Sequence, residues 1–76
     1  MGPLASLNPV FSIGNQMVET IRLHQRVDKN QAIEIGVELL TKVKIPDARS
    51  RMNDFPHQFS LGMCQRIMIA LTLAMK

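Results

Sequence analysis

The chain has 76 residues, nine Lys or Arg against six Asp or Glu, and 46% apolar residues, with six Met, three Phe and no Trp or Tyr. Leu, Ile and Met supply the apolar mass, a mixture that favours helix over strand and is enough for one small domain. A net charge of +3 scattered among acidic residues, with neither a basic stripe nor stacking aromatics, argues against a nucleic-acid reader, and the single Cys64 excludes an internal disulfide.

Residues 1–11 hold Gly2, Pro3, Asn8 and Pro9, the chemistry of loop and turn. Met1 to Ser6 also fits a loose myristoylation pattern, one short enough to arise by chance. No basic segment leads into an apolar run, so no signal peptide is expected. Ser12 reads as an N-cap, and behind it Ile13, Met17, Ile21 and His24 recur at helical spacing, with Val18 beside them. The spacing predicts a first helix over residues 12–25.

Asp28 is the next N-cap, with Gln31 three residues on, close to a capping box. Ala32, Ile33, Gly36, Leu39, Leu40 and Val43 form the apolar stripe of a second helix over 29–43, stopped by Pro46. Gly36 inside the stripe costs helix propensity, which points to a close helix contact there. Residues 47–52 fit one short helical turn capped by Asp47, broken by Asn53, Asp54 and Pro56.

Ser60 opens a last helix over 61–75. Its first half has a polar side in Gln65 and Arg66, whereas Ile67 to Met75 is apolar nearly all round, interrupted only by Thr72. That run falls short of the about 20 residues a membrane span needs, yet a helix of this kind calls for burial on every side. Two short amphipathic helices cannot wrap it, so a larger domain or a second copy of the chain is expected to cover it. The predicted fold is all-α: three helices plus a short helical turn, the first two helices an antiparallel pair against the last.

The residues entering the last helix carry a resemblance. Pro56-His57-Gln58-Phe59-Ser60-Leu61-Gly62-Met63-Cys64-Gln65-Arg66 resembles the signature segment of ABC-transporter ATP-binding subunits, in the branch that imports oligopeptides, dipeptides and nickel. Pro3-Leu4-Ala5-Ser6-Leu7-Asn8-Pro9-Val10 is similar to the run that follows the Q-loop glutamine in that branch. Ile13-Gly14-Asn15-Gln16, Leu23-His24-Gln25 and Val43-Lys44-Ile45-Pro46-Asp47 match it in order and spacing, so the resemblance covers essentially the whole chain.

The resemblance implies a helical subdomain with a post-Q-loop segment at 1–11, a helical pair and short turn at 12–56, and the signature loop and helix at 57–76. It implies that Ser60 and Gly62, with Gln65 as a weaker member, face the γ-phosphate of ATP held by the Walker A loop of a second ATP-binding subunit. The physical logic is anion recognition at a helix start, where free N–H groups and the helix dipole favour phosphate. Two positions depart from the pattern: Leu61 stands at the first signature glycine, and Cys64 where a basic residue is common. Ser60 reads as a helix N-cap whether or not it also meets phosphate.

The chain contains no G-x-x-x-x-G-K-[ST] phosphate cradle, no apolar strand ending in Asp-Glu and no switch histidine after one, and Met1 stands at the place of the Q-loop glutamine. No catalytic residue, bound metal or cofactor is therefore expected of this chain alone, although ATP and magnesium belong to the parent family, and no hydrolysis is expected without the missing parts. His24 and His57 lack ligand spacing, and Cys64 with His57 reads as a half-buried thiol and a loop histidine rather than a nucleophile pair. The resemblance implies two partners, the coupling helix of a membrane permease, placed near residues 1–11 and the first helix, and the second ATP-binding subunit. It implies a cytoplasmic location, peripheral to the inner membrane. A different class of reading is a free-standing helical interaction module that associates with its own copies through the last helix.

Overall fold

The computed structural model describes residues 7–76. The first six residues of the 1–11 segment, with the Met1–Ser6 pattern, lie outside them. Among the described residues the chain is all-α, as expected: α1 (Ile13–His24), α2 (Lys29–Lys42), the short α3 (Ala48–Arg51), a 3-10 turn (Pro56–Gln58) and α4 (Leu61–Ala74). None of these helices is long and apolar enough to cross a membrane.

Each long helix starts where its cap residue sits. The Ser12 hydroxyl accepts from the Asn15 N–H, and the Ser60 hydroxyl from the Met63 N–H. Asp28 and Gln31 form a full capping box. In α1 the residues Ile13, Met17 and Ile21 are fully buried. His24, expected to continue that stripe, instead lies exposed in the last turn, where its Nδ1 donates to the Thr20 carbonyl oxygen at 3.0 Å.

In α2 the buried positions are Ala32, Gly36 and Leu40. Ile21 shares a cluster with Ala32, and Met17 lies against Gly36, the register of an antiparallel pair. α4 closes the core from the other side through Ile67 and Ala70, with Ala74 joining Ile21 and Ala32. Met52 reaches into the same core from the end of α3. It packs on both glycines of the pair, Gly14 of α1 and Gly36 of α2.

Two turns differ from expectation. α2 is ended by a Schellman motif before Pro46 is reached. The Ile45 N–H donates to the Leu40 carbonyl at 3.0 Å, the Lys44 N–H donates to that of Thr41 at 3.0 Å, and Lys44 takes a left-handed φ of 68°. Asp47 does not cap α3 with its side chain. Its φ is 54°, and a side-chain cap needs extended backbone at that position. After α3 the chain makes a further 3-10 turn, with Pro56 at its first position, where a missing N–H costs nothing.

The start of α1 is tied to the far end of this arrangement. The Ile13 N–H donates to the Asp54 carbonyl at 2.8 Å and the Gly14 N–H to the Met52 carbonyl at 2.7 Å. Two donors that a helix start leaves free thus bind the loop that leads to α4.

Candidate functional site

The structure places Ser60 and Gly62 together at the start of α4, and Gln65 one turn further along the face of Gly62. Ser60 is extended, with φ −67° and ψ 165°, and exposed. Its hydroxyl oxygen accepts from Met63 N–H at 3.2 Å and its carbonyl from Cys64 N–H at 2.9 Å. The hydroxyl proton stays available to an outside acceptor. The N–H groups of Leu61 and Gly62 are first-turn donors with no intrahelical partner, and no acidic side chain occupies that turn. The end of the helix therefore presents a small donor cluster to solvent.

Neither departure from the signature pattern strains the backbone. Among the described residues only Lys44 and Asp47 have positive φ, so Leu61 occupies a helical position that any residue adopts. Leu61 is 77% exposed, and at the first position of a helix its Cβ tilts toward the N-terminal end. The consequence of leucine here is bulk at the mouth of the helix start. Cys64 is half-buried, and its thiol donates weakly to the Pro56 carbonyl at 3.5 Å, tying the helix to the 3-10 turn.

Gly62 is informative because the chain itself does not need it. It has no positive φ, and a Cβ there would meet only Arg66 Nη1 at 3.6 Å, an ordinary contact. By contrast, a Cβ on Gly14 would fall 2.6 Å from the Met52 carbonyl oxygen. Internal packing explains Gly14 and leaves Gly62 as room on the open side of α4.

The loop before the site is held by a residue that sequence spacing does not single out. Arg51, last in α3, donates through Nη2 to the Gln58 carbonyl at 3.1 Å and pairs through Nη1 with Asp54 at 3.4 Å. Its guanidinium carbon lies 4.1 Å from the centre of the Phe59 ring. The Gln58 and Phe59 contacts cross a loop, so no helical or strand period reports them, whereas the Asp54 pair is a local one three residues on. Arg66 stands four residues after Gly62, and its Nη1 lies beside the place a Gly62 Cβ would take. His57 stacks on Phe55 at 6.2 Å on the exposed side of the turn, and His24 is on α1.

A second surface feature is a groove of about 350 Å³ at the start of α1. Half-buried Val18 and Ile33 and buried Met52 line it, together with exposed Lys29, Arg49 and Asn53. Arg49 makes a two-pronged bridge to Glu34 of α2 at 2.6 and 2.7 Å. That bond holds the Glu34 carboxyl below its ordinary pKa and raises that of Arg49. This groove adjoins the described part of the segment where a permease contact was expected.

No protein-family model matches the chain. Individual proteins do. It is 50% identical over 74 residues to a glutathione import ATP-binding protein, GsiA, of Pectobacterium atrosepticum, covering 97% of this chain and 12% of that protein. It is 48% identical over 71 residues to the oligopeptide transport ATP-binding protein OppD of Escherichia coli, covering 93% of this chain and 21% of that protein. A putative peptide import ATP-binding protein of Brucella abortus is 49% identical over 71 residues, with the same coverages of 93% and 21%. The chain thus spans between 12% and 21% of the length of these relatives.

Proposed function

We propose, proceeding from the fact that this chain is homologous over nearly its whole length to one segment of the import ATP-binding proteins of ABC transporters, that it is their signature-bearing helical part. In this reading Ser60 and Gly62 offer the α4 donors to the γ-phosphate of ATP on a second ATP-binding subunit, with Gln65 on the adjoining turn. The observation that carries it is the open start of α4: free N–H groups, a serine hydroxyl, and a glycine that no internal contact requires. ATP and magnesium are then held by the second subunit, and this chain supplies donors rather than reacting groups. The groove at the start of α1 receives the cytoplasmic coupling helix of a permease, which sets the chain at the inner face of the membrane. The cargo class is peptides or similar small solutes.

The test is a segment swap. This chain replaces the matching stretch of the Escherichia coli oligopeptide transport ATP-binding protein, and ATP-driven oligopeptide uptake is measured in membranes. Uptake is expected at a reduced rate, because Leu61 crowds the helix start, and Leu61→Gly is expected to raise it about tenfold, the low end of what one hydrogen bond to a charged group contributes. A swapped protein that folds and holds ATP, yet transports with neither Leu61 nor Gly at that position, refutes the reading.

A second reading has its own observation. Leu61, Ile69 and Leu73 recur every fourth residue or its multiple along the solvent side of α4, and all three are exposed, as is Met75. Such a face also suits a self-associating interaction module.

A further inference from the structure

α3 is a rigid point in this fold. Ala48 and Met52 are 7% and 6% exposed within the core. The carbonyls of Met52 and Asp54 are both bound by the start of α1. Arg51 therefore leaves a fixed backbone. Its guanidinium pairs with the Asp54 carboxylate three residues on, within that fixed region, and reaches across to the segment that turns into α4, where it meets two partners: the Gln58 carbonyl and the face of Phe59. Nε is buried with no oxygen or nitrogen partner, so Nη1, Nη2 and the ring face do the anchoring. Phe59 itself packs on the core. Ser60 follows it directly.

We propose that Arg51 is the positioning residue of the signature loop: held by Asp54 on its fixed side, it closes the turn of residues 55–59 on one planar cation and so sets where the Ser60 hydroxyl and the first-turn donors of α4 stand. The Arg51 and Asp54 side chains are 28% and 27% exposed, which separates this pair from a solvated surface bridge. The geometry needs a guanidinium. A planar fork can donate in two directions while stacking on a ring, and a lysine ammonium cannot do all three. The loop has its own short hydrogen bonds, Gln58 N–H to the Phe55 carbonyl and Phe59 N–H to that of Pro56, but these only shape the 3-10 turn. Among the described side chains, Arg51 is the polar group that joins the turn to α3.

The functional meaning of this role rests on the phosphate reading above, but its test does not. Amide hydrogen exchange is followed residue by residue in the full chain carrying Arg51→Met, which keeps an apolar stem, and Arg51→Lys, which keeps the charge. Both are expected to speed exchange at Gln58, Phe59 and Met63 by about tenfold or more, the loss of one charge-assisted bond. Met17, Ile21 and Leu40 are expected to exchange as before. Unchanged rates at Gln58, Phe59 and Met63 in Arg51→Met overturn the proposal. So does an equal rise at all six amides, which makes Arg51 a general stabiliser, and so does full recovery with lysine, which reduces the role to charge alone. If the segment swap fails while the local loosening is seen, the phosphate reading falls and the positioning role stands.

Discussion

At the scale of single residues, two glycines that look alike on a helix have opposite tolerances. The alanine Cβ at Gly14 would lie 2.6 Å from a backbone oxygen that is itself bonded to α1, so neither side can yield. Gly14→Ala is expected to cost about 2–3 kcal/mol in a urea unfolding measurement. At Gly36 the close atom is the Met52 methyl at 2.9 Å, the free end of a flexible side chain. The gain of about 1 kcal/mol in helix propensity offsets its displacement, so Gly36→Ala is expected to remain near neutral. Gly36 was visible in the sequence as a glycine inside an apolar stripe. Gly14 was not, since its reason lies in a carbonyl contributed from beyond α3. Ser60 separates two roles in the same way. Ser60→Ala is expected to lower stability by about 1 kcal/mol, through loss of the Met63 cap. Ser60→Asp keeps the cap but sets a carboxylate at the helix start. In the segment swap it is expected to abolish transport while the melting temperature holds, a split that a cap-only serine would not produce.

At the scale of elements, α3 is fastened to α2 by Arg49 and Glu34. The Arg49 hydrogen bonds depress the Glu34 pKa, so this contribution is present above the ordinary carboxylate value and is lost as pH falls through the lowered one. The melting temperatures of the wild-type chain and Glu34→Gln are expected to differ at neutral pH and converge in acid. They are also expected to converge in high salt, because both partners of the bridge are well exposed. The long elements were legible because each carries its own period and cap: Ser12, Asp28 with Gln31, and Ser60 each stand at the observed start. The turns were less so. Nothing local in Lys44 announces a left-handed residue where glycine is the usual choice, and the Ile45–Leu40 packing behind it is a tertiary fact. The Arg51 closure was hidden for a similar reason, since its partners are a carbonyl and a ring on the other side of a loop.

At the scale of the whole molecule, the Cα radius of gyration is 11.1 Å. A domain of this length is expected near 11 Å, so the apolar residues left on α4 do not reflect a loose arrangement. α4 buries Ile67, Ala70 and Ala74 on one side and leaves Leu61, Ile69 and Leu73 on the other. The sequence announced this surplus of apolar surface, and the described residues leave part of it in solvent. In the isolated chain, sedimentation at rising concentration is expected to show association, and Ile69→Lys is expected to remove it without lowering the melting temperature. The paired carbonyls of Met52 and Asp54 carry a last consequence, for the order of folding. During synthesis α1 emerges long before its acceptors do, so a nascent chain ending at α2 holds a helix with a frayed entrance. The ring of contacts closes only when the segment after α3 arrives, and the cost of that closure makes it a late, cooperative event. A chain truncated before residue 52 should therefore show faster exchange at the Ile13 and Gly14 amides than the full chain.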